Sequence, residues 1–258
     1  MNFLRPIAFI GRQGIRSFGA IGRGGYLAAG VFRALRKTEI WGGLLVPQMA
    51  SIGVASLPIA LFIATFTGMV LAIQASYTFT GAVPLYFVGA LVGKTIILEL
   101  GPVLTGLALA GRVGANIAAE IGTMRVTEQI DALESLGYDP AAYLVVPRAL
   151  AGLIMFPIVV ALAIAVGIAS GWLTSLGLLD LTTSQFMRGL QLFFDDYDVK
   201  FALFKAATFG ITVTGLGAFF GFTTSGGAQG VGLATTRAVV VSSMAILALD
   251  AFWAATLL

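Results

Sequence analysis

The sequence predicts an all-α integral membrane protein with a helix at the membrane interface, five transmembrane helices and a short cytoplasmic helix between the second and third of them. Of the 258 residues, 58% are hydrophobic and only 10% are charged, and the mean hydropathy is +0.97. A soluble domain carries about 25% charged residues. The chain therefore lacks the polar surface of a soluble enzyme, and residues 1–258 are expected to form one transmembrane domain.

The transmembrane helices are placed by stretches with few charges. A helix needs about 20 mostly apolar residues to cross a bilayer. The sequence predicts spans over 47–73, 85–111, 148–173, 201–224 and 235–257. A polar and aromatic segment containing Gly and Pro separates the first two spans. Asp250 falls in the fifth span, near the end where it is expected to reach water.

The basic residues predict the orientation, because cytoplasmic segments carry an excess of Lys and Arg. Seven precede the first span, three lie in 112–148, two in 174–200 and one in the loop before the last span. The amino terminus is therefore expected inside and the carboxyl terminus outside.

The segment 1–38 is predicted to be an amphipathic helix lying in the cytoplasmic interface. Four arginines share one face, opposite an apolar stripe: Arg5, Arg12, Arg16 and Arg23. Such a basic face is attracted to anionic lipid headgroups. The alternative is an ordinary basic flank to the first span.

Lys94 and Glu99 lie inside the second predicted span and are interpreted as the only charges deep in any span. Ionisable groups in a membrane are costly and usually face a cavity or a partner. Pro102 removes the hydrogen bond to the carbonyl of Leu98, so a kink and a free carbonyl accompany the carboxylate. This combination favours a polar spot in a transport cavity. A structural contact between helices, or Lys94 reaching outward to the interface, is the alternative.

Glycines four residues apart predict close helix packing in lipid. The pairs are Gly89/Gly93, Gly167/Gly171 and Gly217/Gly221. The first pair precedes Lys94-Thr95 and has the look of a phosphate-binding loop, but that motif needs Gly where Val88 stands. No ATP binding through this motif is expected.

The segment 112–146 has a helix-forming composition with alternating charge. Thr127 is predicted to cap a short helix and Gly137 to end it. Ile130 and Leu133 give that helix an apolar face. Such a helix can dock into a groove of a soluble partner, and a solvated connector is the alternative.

The composition also restricts the chemistry. The chain has no His and no Cys, which excludes zinc sites built on those residues, thiol catalysis and the commonest general base. No catalytic set and no metal site is predicted, so an enzyme is not expected. Nothing indicates a nucleic-acid partner.

Four segments together resemble the signature of the MlaE-type permease family. They are Glu99-Leu-Gly-Pro102, the run from Ala110 to Ala115, the run from Ala119 to Leu133, and the run from Ala234 to Ser243. The resemblance covers nearly the whole chain.

The resemblance implies a permease subunit of an ABC transporter that moves phospholipid or a related lipid between the bacterial inner membrane and the outer envelope. It implies a homodimer, two copies of an ATPase that holds ATP and Mg, an MCE-domain ring protein, and in some systems a STAS-domain protein. This chain itself would hold no cofactor.

The resemblance also implies roles for residues. The coupling helix that docks on the ATPase would include Glu120, Arg125, Glu128, Gln129, Asp131 and Leu133. The lipid cavity would be near Glu99, with Leu98, Lys94 and Pro102 beside it. Some family members have Arg where this chain has Leu98, so we hypothesise that Lys94 supplies a cation to the lipid headgroup. The rival interpretation is a stand-alone ion-coupled transporter or channel that uses Lys94, Glu99 and Asp250.

Overall fold

The computed structural model describes residues 19, 22, 24–79, 84–179 and 181–257. Helices dominate this part of the chain, and no strand occurs within it. The prediction of an all-α protein is therefore confirmed. The predicted face of Arg5, Arg12, Arg16 and Arg23 lies outside the described residues.

Five continuous helical rods are long and apolar enough to cross a membrane, as predicted. They are span 1 (Thr38–Thr78), span 2 (Phe87–Val126), span 3 (Ala141–Leu178), span 4 (Asp196–Phe222) and span 5 (Gly227–Leu257). Most of their ends lie several residues beyond the predicted limits. A charged side chain in the first or last turns reaches the interface or water without interrupting the backbone ladder, so charge alone does not end a helix.

The rods are built from shorter helical segments, and three further helices in the described part of the chain lie outside them. In chain order these are α1 (24–34), α2 (Thr38–Ile52), α3 (Leu57–Thr78), α4 (Phe87–Thr95), α5 (Gly101–Leu109), α6 (Ala115–Val126), α7 (Gln129–Ser135), α8 (Val146–Leu178), α9 (Thr183–Leu192), α10 (Asp196–Phe222) and α11 (Gly227–Leu257). Of these, α1, α7 and α9 lie outside the rods. A 3₁₀ turn, Val54–Ser56, interrupts span 1. Wider π turns lie at Ile96–Leu100 and Ala110–Gly114 in span 2, and at Ala141–Val145 in span 3. Such π turns often mark functional sites in helices.

Consecutive rods alternate in direction, which gives the bundle two ends. Span 1 begins and span 2 ends at what we call the amino-terminal end, where α7 also lies. The opposite, distal end carries α9 between spans 3 and 4. Which end faces the cytoplasm stays a prediction from the basic residues.

The predicted packing role of the glycine pairs is confirmed. A Cβ atom at Gly217 would lie 3.0 Å from the carbonyl oxygen of Gly114, and one at Gly221 would lie 2.7 Å from Cβ of Ile121. Spans 2 and 4 therefore approach each other more closely than any larger residue would allow. The other pairs pack against α9 (Gly89, Gly93) and against spans 1 and 2 (Gly167, Gly171).

An ion pair ties the start of span 1 to the start of span 3. The Nζ of Lys37 lies 2.9 Å from Oδ2 of Asp139, and Oδ1 accepts a hydrogen bond of 3.0 Å from the backbone N–H of Ala141. Burial alone would raise the pKa of Asp139, but the hydrogen bonds from Lys37 and Ala141 outweigh it and hold that pKa below its ordinary value.

We expect Asp139→Asn to lower the melting temperature at neutral pH and to change nothing in strong acid. A lowered carboxyl pKa stabilises the fold above the ordinary value of 3.8, and this stabilisation is lost as the pH falls through the lowered value. Melting curves of both proteins in detergent from about pH 6 to about pH 2 should therefore converge at the acid end. A difference that persists unchanged at the lowest pH would contradict the ion pair.

Candidate functional site

A fully buried ammonium group lies at the centre of the site. Lys205 of span 4 has no exposed surface. Its Nζ lies 3.1 Å from Oε2 of Glu99 in span 2 and 2.6 Å from Oδ1 of Asp250 in span 5. One cation therefore joins three spans through two carboxylates. We call these three residues the buried ion network.

Aromatic side chains enclose this network on the distal side. The ammonium of Lys205 lies 5.1 Å from the ring centroid of Phe201, one turn earlier in the same helix, where the ring face attracts a cation. One turn later, the Nε1 of Trp253 donates a hydrogen bond of 3.2 Å to the hydroxyl of Thr208. The hydrogen bond from Trp253 therefore joins spans 4 and 5 a second time, beside the Lys205–Asp250 contact.

Glu99 is the accessible edge of the network. Its side chain is 39% exposed, against 19% for Asp250 and none for Lys205. If all three groups are ionised, the network carries one negative charge in excess. The free carboxylate oxygen of Glu99 can therefore accept a hydrogen bond or a cation from a ligand.

The backbone around Glu99 is irregular for a reason visible in the sequence. Glu99 lies in the π turn Ile96–Leu100, and Pro102, which has no N–H to continue the ladder, follows it. The structure has this π turn where the sequence predicted a kink with a free carbonyl at Leu98. Pro102 itself is buried, while Leu98 is partly exposed beside Glu99.

Lys94 belongs to a second ion pair nearer the distal end. Its ammonium contacts Asp198, whose side chain is only 7% exposed, near the start of span 4. Lys94 itself stays 42% exposed. The structure therefore gives Lys94 a carboxylate partner of its own and places it outside the buried ion network, which leaves its predicted contact with a lipid headgroup untested.

Two predictions about intramembrane charge are wrong. Lys94 and Glu99 are not the only deep charges, because Lys205 is buried in span 4. Asp250 does not simply reach water, because it contacts Lys205. The signal for Lys205 was present, since position 205 falls inside the predicted span 201–224. Its pairing with Glu99 and Asp250 had no such signal, because the three residues lie in different helices.

The connection between spans 2 and 3 folds back as α7. Ile130 is 1% exposed and joins the main core, with Leu133 packed beside it. The residues on the other side, which include Glu128, Gln129 and Asp131, are exposed. An ion pair of 2.5 Å between Arg125 and Asp131 fixes α7 against the end of span 2.

Of the two residues predicted to begin and end α7, the structure confirms one and not the other. Gly137, with φ +83°, follows its last turn as predicted, and the N–H of Tyr138 closes the end on the carbonyl of Leu133 at 3.0 Å. The predicted cap Thr127 is wrong. Its hydroxyl donates a hydrogen bond of 2.8 Å to the carbonyl of Thr123. Thr127 is therefore part of the end of α6, which continues to Val126, and does not cap the start of α7.

Glu120 is not part of the exposed surface of α7. Its Oε2 accepts a hydrogen bond of 2.9 Å from the buried guanidinium of Arg148 in span 3, and its Oε1 accepts one of 2.7 Å from Asn116. Glu120 therefore connects spans 2 and 3 from α6, one helical segment before α7, and its predicted role in coupling stays a prediction.

Within the described part of the chain, no group of three or more His, Cys, Asp or Glu side chains is arranged to hold a metal ion.

Comparisons with known proteins agree on one family. The family model Permease MlaE matches residues 45–256. A probable ABC transporter permease protein of Synechocystis is 42% identical over 86% of this chain and 84% of its own length. One from Rickettsia bellii is 38% identical over 92% of both chains. The intermembrane phospholipid transport system permease protein MlaE of Haemophilus influenzae is 36% identical over 95% of this chain and 94% of its own.

We expect Lys205→Met to destabilise the protein by about 3 kcal/mol, because it leaves two carboxylates in a membrane core without a cation. The matched control is Lys200→Met, which makes the same change at an exposed position of the same helix. Thermal unfolding in detergent measures both, and equal losses would contradict the network. Adding Asp250→Asn to Lys205→Met removes one stranded charge and should recover part of the loss.

Proposed function

This chain belongs to the MlaE permease family, and on that premise we propose that it is the membrane subunit of an ABC transporter that moves phospholipid between the inner membrane and the outer envelope. Its five spans and its relatives make it a multi-pass protein of the inner membrane. The observation that carries the proposal is the buried ion network, which presents one half-exposed carboxylate among apolar helices. A lipid site combines apolar walls with a few placed polar groups.

The headgroup would meet Glu99 first. Lys205 is fully enclosed, so it positions Glu99 and cannot itself reach a ligand. The exposed oxygen of Glu99 favours a ligand that brings a positive charge or a hydrogen-bond donor, such as the amine of a zwitterionic phospholipid. Leu98 and the neighbouring apolar spans would accommodate the acyl chains. Lys94, still 42% exposed, is the candidate for a further headgroup contact.

The energy would come from a partner, because the one segment that looks like a phosphate-binding loop lacks its first Gly. We propose a homodimer of this chain with two ATPase subunits that bind ATP and Mg, an MCE-domain ring protein on the outer side, and in some assemblies a STAS-domain protein. The amino-terminal end of the bundle would then face the cytoplasm, as the basic residues predict.

The ATPase would dock on α7. This helix is held by Ile130 in the core and by the Arg125–Asp131 ion pair, so a force on its exposed face would reach span 2 directly. Its exposed acidic residues and the neutral Gln129 present a polar surface to a soluble partner. Span 2 contains both Glu99 and α6, which leads into α7, so one rod connects the proposed ATPase contact to the lipid site.

A second candidate is transport driven by an ion gradient. The observation that favours it is the buried ion network, because a lysine between two carboxylates can pass a proton between them. Family membership favours the ATPase-driven mechanism, and the two are separated by whether transport needs the ATPase.

We expect Glu99→Gln to lower the amount of phospholipid that co-purifies with the transporter by about tenfold, because hydrogen bonds to a charged group are worth about 1.5–3 kcal/mol. Lipid is measured by mass spectrometry of the purified complex. Recovery of the ATPase should be unchanged, because position 99 is far from α7. Glu39→Gln, at an exposed acid in the first turn of span 1, is the control. Unchanged lipid content and transport would remove Glu99 from the site.

We expect Asp131→Lys to reduce co-purification of the ATPase and to reduce lipid transport in proportion. The change breaks the contact with Arg125 and reverses a charge on the exposed face of α7. Asp196→Lys, at an exposed acid of the distal end, is the matched control and should retain the ATPase. If transport in proteoliposomes continues at full rate without bound ATPase, the gradient-driven mechanism is correct instead.

A further inference from the structure

A polar cleft lies between spans 1 and 2, away from the buried ion network and nearer the amino-terminal end. It has a volume of about 250 Å³. Its polar lining consists of Gln48, Ser51, Arg112, Asn116 and Glu120. Arg112 is thirteen residues from Glu99 in span 2, or about 20 Å along the helix. The cleft and the network are therefore separate sites.

Arg112 uses one end of its guanidinium to hold span 1. Its Nη1 donates to the carbonyl oxygen of Ala55 and to the hydroxyl of Ser56, the latter at 3.0 Å. These residues form the 3₁₀ turn that interrupts span 1, where helix carbonyls lose their usual partners. The contact fixes the orientation of the guanidinium, so its remaining donors point in a defined direction.

Arg112 is exposed, and its remaining donors have no acceptor in the described part of the chain. Among the residues that the structure describes, Nε and Nη2 make no hydrogen bond, and no carboxylate lies within ion-pair distance. Glu120 lines the same cleft, but its two oxygens are already bound by Asn116 and Arg148. The pair with Arg148 neutralises Glu120, so the cleft keeps the positive charge of Arg112.

Arg112 directly follows the predicted apolar stretch 85–111, at the level where lipid headgroups are expected, and a guanidinium there without a carboxylate partner attracts an anion. The parallel N–H groups of Arg match two oxygens of a phosphate in a bidentate contact. We propose that this cleft binds the phosphate of a phospholipid headgroup, with Nε and Nη2 of Arg112 as donors and the side chains of Gln48, Ser51 and Asn116 around it. This inference rests on the proposed function, which makes phospholipid the substrate, and adds a second lipid contact nearer the amino-terminal end.

Gln48→Glu tests the proposal without disturbing the contact between Arg112 and span 1. The substitution is nearly isosteric and places a carboxylate in the cleft, where it competes with phosphate for Arg112. Binding of phosphatidylethanolamine, which carries both a phosphate and an amine, to the delipidated transporter is titrated by native mass spectrometry. We expect about tenfold weaker binding in the variant, the scale of a charge-assisted hydrogen bond. Gln191→Glu, at an exposed position of α9, is the control and should bind as the wild type does.

Three further titrations identify the ligand. Diacylglycerol with the same acyl chains should not distinguish wild type from Gln48→Glu, because it has no phosphate. Inorganic phosphate at the same concentration should leave the lipid in place; if it fills the cleft instead, the site belongs to a free anion and the lipid assignment is wrong. Ser51→Phe, which fills the cleft with a ring, should reproduce the loss, while Val46→Phe on the exposed side of span 1 should not.

Glu99→Gln in the same titration separates this proposal from the proposed function. Weaker binding in Gln48→Glu and in Glu99→Gln, with two bound lipids per chain in the wild type, supports both sites. Weaker binding in Glu99→Gln alone leaves the transporter standing and overturns the cleft. Equal binding in all three proteins overturns both.

Discussion

The cost of an ammonium group in a membrane core determines how the spans are arranged around the candidate site. A charge that is removed from water is tolerated only when opposite charges and hydrogen bonds replace its hydration. Lys205 is completely enclosed and meets two carboxylates from two other spans. Spans 2, 4 and 5 must therefore keep Glu99, Lys205 and Asp250 in register, and the glycines between spans 2 and 4 allow the approach that this requires.

The same constraint explains which charges are available for function. Lys94, Arg125, Arg148 and Lys205 each have a carboxylate partner. Each pair holds helices together. The pair of Lys94 lies at the distal end, that of Arg125 at α7, that of Arg148 between spans 2 and 3, and those of Lys205 at the candidate site. The two groups in span 2 that are proposed to contact lipid and keep free atoms are the outer oxygen of Glu99 and the free end of Arg112. Both lie in span 2, which also leads into α7, so one rod would connect lipid contact to the motion of a docked ATPase.

The sequence predicted the general architecture because the bilayer imposes simple rules. Five apolar stretches indicated five spans, and glycines four apart indicated close packing. Pro102 after Glu99 indicated the irregular turn. The limits came from information that is not local. The partner of Lys94 is Asp198, and the partners of Lys205 lie in spans 2 and 5. A hydropathy average over a whole span also hides a single lysine, although its position inside 201–224 was readable. Thr127 failed as a cap because α6 continues to Val126, so Thr127 lies at the end of that helix.

The central claim is that the buried ion network presents Glu99 to a lipid headgroup. A density map of the lipid-loaded transporter in a nanodisc tests it most directly, since it shows protein and lipid together. The account predicts a headgroup whose polar atoms lie within hydrogen-bond distance of Glu99, about 2.7–3.2 Å, while Lys205 remains enclosed by Glu99 and Asp250. Bound lipid whose headgroup lies elsewhere, with Glu99 covered by protein alone, would contradict it.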